Sequence, residues 1–156
     1  EPAEGTAGHD LANLTLEHHA PWPALPRGLT SFGAARIDRQ VFIYGGHTGE
    51  AHDYWKGSQS NQLLVLQLDR LDDGWKVVHE SEIGLQGLAL VAYKDRLIRI
   101  GGFHATNASE ESQHLISVDQ VAQVIVGPHG ISSWVNLPAL PEARSSTDAT
   151  LVGDDL

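Results

Sequence analysis

The chain has no cysteine and no methionine, and its 10 Lys and Arg are outnumbered by 20 Asp and Glu. Without cysteine there is no disulfide framework, no thiol nucleophile and no thiolate metal site, and the redox compartment stays open. With no methionine even at position 1, the chain reads as a processed product or a fragment. Glu1-Pro2-Ala3-Glu4-Gly5 fits the start of a mature protein after signal removal, so a secreted or periplasmic location is expected. A formal charge of −10 repels polyanions. No basic stripe offsets it, which excludes nucleic acid as a partner and disfavours an anionic membrane surface. No apolar run approaches the roughly 18–20 residues of a membrane span, and none is expected. Helix-period segments are missing as well.

Glycine is plentiful, with 16 residues beside 7 prolines in a chain that is 41% hydrophobic. Such a composition describes a turn-rich globular chain long enough for a real core. The glycines carry a pattern. Val41-Phe42-Ile43-Tyr44-Gly45-Gly46 is a short apolar run that stops on a glycine pair, and Leu97-Ile98-Arg99-Ile100-Gly101-Gly102 says the same thing 56 residues later. Two adjacent residues without Cβ can take positive φ or let another backbone come close. Repetition at this spacing points to a repeat architecture.

The surroundings repeat too. Residues 1–21 form an N-terminal arm, in which Leu14-Thr15-Leu16-Glu17-His18 alternates and predicts one short strand. The prolines of Trp22-Pro23-Ala24-Leu25-Pro26-Arg27 make a rigid connector. Residues 31–37, a turn at Asp38-Arg39-Gln40 and residues 41–44 predict a hairpin. A polar loop, 47–61, leads to a third strand at Leu63-Leu64-Val65-Leu66-Gln67-Leu68, apolar enough to be covered on both faces. Asp72-Asp73-Gly74 marks a turn, and Trp75-Lys76-Val77-Val78 a fourth strand. The cycle then restarts with a hairpin at 85–93 and 96–100, a polar loop at 103–113 and a third strand at His114-Leu115-Ile116-Ser117-Val118. A longer segment, 119–133, precedes the fourth strand at Trp134-Val135-Asn136-Leu137. Pro138-Ala139-Leu140-Pro141-Glu142-Ala143-Arg144 echoes the first connector, and residues 149–156 open a third first-strand and turn. Trp22, Trp75 and Trp134 read as three copies of one position. Four short antiparallel strands per unit of about fifty residues is the pattern of a propeller blade.

In these features the chain resembles the kelch-repeat family. The marks are Gly45/Gly46 followed by Trp75, then Gly101/Gly102 followed by Trp134, Leu140-Pro141 and Arg144. Tyr44 supplies the aromatic residue usual beside the glycine pair, whereas Ile100 stands there in the second unit, and the stretch from Trp75 to Leu85 lacks a Leu-Pro-Arg connector. The resemblance implies an all-β fold, a β-propeller of four-stranded antiparallel blades, with units at 22–79 and 80–137 and a third begun at 138–156. It implies a closed ring, commonly of six or seven blades. The chain would then be an incomplete ring whose remaining blades come from the same precursor or another chain, the arm contributing a strand to closure.

For function, Gly45, Gly46, Gly101, Gly102, Trp75 and Trp134 have a sufficient structural explanation in turns and inter-sheet packing. The loop His47-Thr48-Gly49-Glu50-Ala51-His52-Asp53-Tyr54-Trp55-Lys56 is different, because it gathers two imidazoles, two carboxylates and two large aromatics. Rim loops on a rigid scaffold are where binding groups collect. His47, His52, Asp53, Tyr54 and Trp55, with His104 and Asn107 from the matching loop, are the candidate binding residues for a protein or glycan ligand. A metal at His47, His52 and Asp53 is the weaker reading, since no established ligand spacing is present, and no cofactor is expected. Asp72-Asp73 and Asp154-Asp155 read as turn formers rather than acid–base pairs. Asn13-Leu14-Thr15 and Asn107-Ala108-Ser109 fit the glycosylation sequon.

The leading expectation is therefore a non-catalytic binding module, and no nucleophile motif or phosphate loop opposes it. The alternative implied by the resemblance is part of a secreted sugar enzyme. A sialic acid epimerase type would need polar side chains on a central channel, for which Arg99 is the candidate. A copper oxidase type needs a cysteine this chain lacks. An edge salt bridge explains Arg99 equally well.

Overall fold

The computed structural model describes residues 22–128 and 130–153. The predicted arm strand, the Asn13 sequon and the Asp154-Asp155 turn lie outside these residues. Within them the chain is all-β, eleven short strands with two single 3-10 turns at Lys56–Ser58 and Leu71–Asp73. Strands β1 (Gly33–Ile37), β2 (Gln40–Tyr44), β3 (Gln62–Gln67) and β4 (Lys76–Glu80) form one antiparallel sheet in that order. The first hairpin closes through Ile37 and Gln40, with Asp38 at φ 49°, a left-handed conformation that Asp tolerates better than most residues. The second repeats it, with Lys94 at φ 55° between β5 (Ala89–Tyr93) and β6 (Arg96–Ile100).

The second sheet departs from the expected register. The third strand is not the 114–118 run but β9 (Val121–Gly127), which pairs through residues 121–125 with the whole of β6. Residues 115–117 form β8 (Leu115–Ser117), which pairs with β7 (Phe103–Ala105) in a separate two-stranded ribbon. Burial gives the reason. Leu115 and Ile116 stay 42% and 39% exposed, whereas Ala122 and Val124 of β9 are fully buried. The extra length of the second unit thus lies before its third strand. The outer edge of β9 is covered by two short pieces, β10 (Gly130–Ile131) and β11 (Val135–Asn136). Ser132 joins them: its N–H donates to the Ile125 carbonyl at 3.0 Å, and its Oγ accepts from the Ile125 N–H at 2.9 Å.

The two sheets pack face to face. Phe42, Tyr44, Leu63 and Val65 meet Leu90, Leu97 and Val124, and Leu85 and Leu88 close the layer from the connector. Burial of this apolar surface is the main stabilising term. The opposite face of the first sheet is covered too, since Leu64 and Leu66 are buried, as their unbroken apolar run predicted. Trp134 fills the space between the sheets, its ring 5.2 Å from that of Tyr44. Trp75 stands at the matching place, one residue before β4, and donates its Nε1–H to the Pro23 carbonyl at 3.0 Å. Trp22 is 55% exposed and lies in no strand, so it does not share their packing role.

The glycine pairs do what their chemistry allows. Gly45 and Gly46 have φ 71° and 104°, and Gly101 and Gly102 repeat this with 60° and 103°. At each pair the next connector crosses in contact: Gly46 N–H donates to the Leu85 carbonyl, and Gly102 N–H to the Arg144 carbonyl, both at 2.8 Å. A third repeating position links the units. Ser31, Gly87 and Ser146 all have positive φ, and each later N–H donates to the carbonyl of the one before, at 2.8 and 2.7 Å.

Candidate functional site

The loop launched by Gly46 is tightly organised. The His47 backbone is bonded to Thr30 in both directions, at 2.7 and 3.0 Å, and its ring Nε2 lies 2.8 Å from the Glu50 carbonyl. At 4% exposure His47 is a loop-building residue and offers nothing to solvent. Ser58 closes the next turn, accepting the Trp55 N–H at 3.0 Å. Trp55 lies across Gly57, where an added Cβ would stand 2.0 Å from the ring, so this glycine makes the space the indole occupies.

The two unit loops meet. Tyr54 points its ring edge-on to Phe103 at 6.0 Å and to His47 at 5.0 Å. Asn107 donates from Nδ2 to the Tyr54 and Ala108 carbonyls, each at 3.0 Å, and its Oδ1 accepts the His114 N–H at 3.0 Å. With 6% exposure Asn107 is a clip between the loops, and the folded chain keeps its sequon nitrogen occupied. His52, held at φ 67°, and Asp53 remain exposed, and Tyr54 and Trp55 are half-buried beside them. The structure thus unites His52, Asp53, Tyr54 and Trp55 on one surface and places His47 and Asn107 beneath it. Among the described residues no group of three His, Asp or Glu side chains is close enough to hold a metal ion.

His104 goes elsewhere. It lines a cleft between the two sheets together with Arg99, Gln120 and Trp134. Arg99 is neither an edge residue nor salt-bridged. It is 9% exposed, faces the first sheet, and has no carboxylate within 4 Å among the described residues. Its Nη1 donates to Tyr44 Oη at 2.9 Å and its Nη2 to Gln120 Oε1 at 2.6 Å. Its guanidinium carbon lies 5.0 Å from the Trp134 ring centroid and 5.5 Å from that of Tyr44, within cation–π range. Tyr44 Oη in turn donates to Ser81 Oγ at 3.0 Å. Gln120 was not foreseen. Its signal is its match to Gln62, the first residue of β3: the Gly45 N–H donates to the Gln62 carbonyl as the Gly101 N–H does to that of Gln120, and each glutamine donates its side-chain amide across to the fourth strand, to Glu80 and Asn136 respectively.

No protein-family model matches the chain, and no curated protein does. Among solved structures it is similar to one titled "Structure of YjhT", with a TM-score of 0.61 at 12% identity. The match covers 80% of this chain and 36% of that one, so the chain spans about a third of the length of this neighbour. At that identity the likeness concerns the fold alone.

Proposed function

We propose that the chain is a segment of a kelch-type β-propeller acting as a non-catalytic binding module, which engages a protein or carbohydrate ligand through its joined rim loops. The fold part of this reading is supported by the repeated glycine crossings, by the Ser31–Gly87–Ser146 hydrogen-bond relay and by a match that takes up 80% of this chain but 36% of the neighbour's. The remaining blades come from the same precursor or from another chain.

One observation carries the binding part: Asn107 locks the two loops together and leaves Tyr54 and Trp55 half-buried beside exposed His52 and Asp53. Pre-organised aromatics lose little entropy on binding, and a carboxylate and an imidazole beside them suit hydroxyl-rich ligands. Carbohydrate is therefore the favoured class. The test is a glycan array probed with the full-length protein, followed by titration of the best hit. Replacing Tyr54 and Trp55 together by Ala should weaken binding by about thirtyfold, the effect of losing about 2 kcal/mol of anchoring contact. Undiminished binding by the double variant would sink the rim reading. A blank array together with a captured protein that the double variant releases would assign the surface to a protein partner.

A further inference from the structure

The joined rim loops carry charge of nearly one sign. The first loop holds Glu50 and Asp53 and the second Glu110 and Glu111, all four exposed, while Lys56 is the single Lys or Arg in either loop. Among the described residues none of these four carboxylates has a basic nitrogen within 4 Å. Hydrogen bonds gather them around the aromatic pair. The Asp53 N–H donates to the Glu50 carbonyl at 3.1 Å, and Tyr54 and Trp55 follow Asp53 directly. From the second loop, Asn107 Nδ2 reaches the Tyr54 carbonyl at 3.0 Å, and the Lys56 N–H returns a bond to the Asn107 carbonyl at 3.1 Å. Glu111 Oε2 accepts the N–H of the next residue, Ala108, at 2.7 Å, which holds this carboxylate at the seam between the loops.

Unpaired charges of one sign repel one another, and a bound cation relieves that repulsion. The faces of tyrosine and tryptophan rings attract a cation as well, more strongly where water is displaced. A sugar ring lying on Tyr54 and Trp55 thus meets a surround that favours a positive substituent and opposes a negative one. The aromatics make the site, and the carboxylates choose its ligand.

We propose that the rim surface selects glycans with free amines, that is, unacetylated amino sugars, over neutral and acidic ones. The inference rests on the carbohydrate reading of this surface and adds its charge specificity. The sugar ring packs on Tyr54 and Trp55, and its ammonium faces Glu50, Asp53 and Glu111. The experiment is calorimetric titration of the full-length protein, at neutral pH and low salt, with four probes. These are the β-1,4 trimer of glucosamine, its N-acetylated form, a galacturonic acid trimer, and trilysine as a cation without sugar rings. The glucosamine trimer should bind about tenfold tighter than the acetylated one, the effect of three exposed charge contacts, and added salt should shrink that advantage. The galacturonic acid trimer and trilysine should both bind more weakly. Glu50→Gln, Asp53→Asn and Glu111→Gln combined, all isosteric changes at exposed positions, should weaken the glucosamine trimer about fivefold, and Lys56→Gln should strengthen it about twofold. The proposal is overturned if the glucosamine trimer binds no tighter than its acetylated form, if trilysine matches it, or if the triple variant binds it as the parent does. It also falls if no trimer binds, even where the array finds another glycan. The rim reading is judged separately: trimers bound without preference but lost on Tyr54→Ala/Trp55→Ala would keep that reading and sink this one.

Discussion

Replacing Gly45 by Ala tests the central structural claim, that each glycine pair is the point where one unit admits the next. An ideal Cβ at Gly45 would lie 2.3 Å from the Leu85 carbonyl oxygen and 3.0 Å from Leu88 Cδ2. The first contact is with backbone, which cannot swing aside, so the connector must move. Moving it breaks the 2.8 Å bond from Gly46 N–H to the Leu85 carbonyl, and Leu85 is itself a core residue. Gly74 is the control. Its φ of 67° is close to the 71° of Gly45, yet nothing lies within 4 Å of an added Cβ. Backbone strain alone should therefore cost about 1–3 kcal/mol in Gly74→Ala. In Gly45→Ala the lost bond and the displaced core contact add about 2 kcal/mol. For a chain of this size that increment lowers the melting midpoint by about 4–8 °C beyond the control. Thermal unfolding of both variants, followed by circular dichroism, makes the comparison. Equal losses would refute the crossing argument and reduce the glycine pair to a turn.

The revised strand register has its own test: Val124→Ala, at a fully buried site of β9, should cost about 2 kcal/mol in urea unfolding, whereas Ile116→Ala on the exposed ribbon should cost under about 1. The reverse order would restore the 114–118 run as the core strand. A third prediction concerns Asp73. The Lys76 ammonium, 2.9 Å away, hydrogen-bonds and attracts its carboxylate, and Arg70 adds a weaker attraction, which together hold the carboxyl below the usual aspartate range. A carboxyl depressed in the folded state contributes stability above the unfolded aspartate value, and that contribution disappears as pH falls through the folded value. NMR titration should find Asp73 low, and Lys76→Ala or high salt should move it back up. The exposed pair will add little to overall stability, and an Asp73 indifferent to Lys76→Ala would contradict the pairing.

Local signals were legible. The hairpins at β1–β2 and β5–β6, the turn before Gly74 and the glycine pairs all follow from side-chain alternation and backbone freedom within a few residues. The candidate loop was legible in composition only. That His47 and Asn107 would be consumed by backbone partners was not visible, because those partners, Glu50 and Thr30 for one and Tyr54 and His114 for the other, are chosen by how the loops cross. The same holds for His104, which counting from the glycine pair assigns to the rim and the β7–β8 ribbon turns toward the cleft.

The amino-acid order by itself determined that this chain is all-β, where its hairpins turn, and that the two glycine pairs end apolar strands, since alternation and backbone freedom are properties of neighbouring residues. Tertiary structure decided the rest. Two apolar runs, 115–117 and 121–127, compete for one place beside β6, and the choice fell to the run whose alternate residues fit against the first sheet. Arg99 was conspicuous in the sequence, but its meaning depends on Tyr44, 55 residues away, and on Trp134 stacked over it. A charge among strand residues is only an anomaly until packing shows whether anything neutralises it. Here nothing among the described residues does, and that fact exists only in three dimensions.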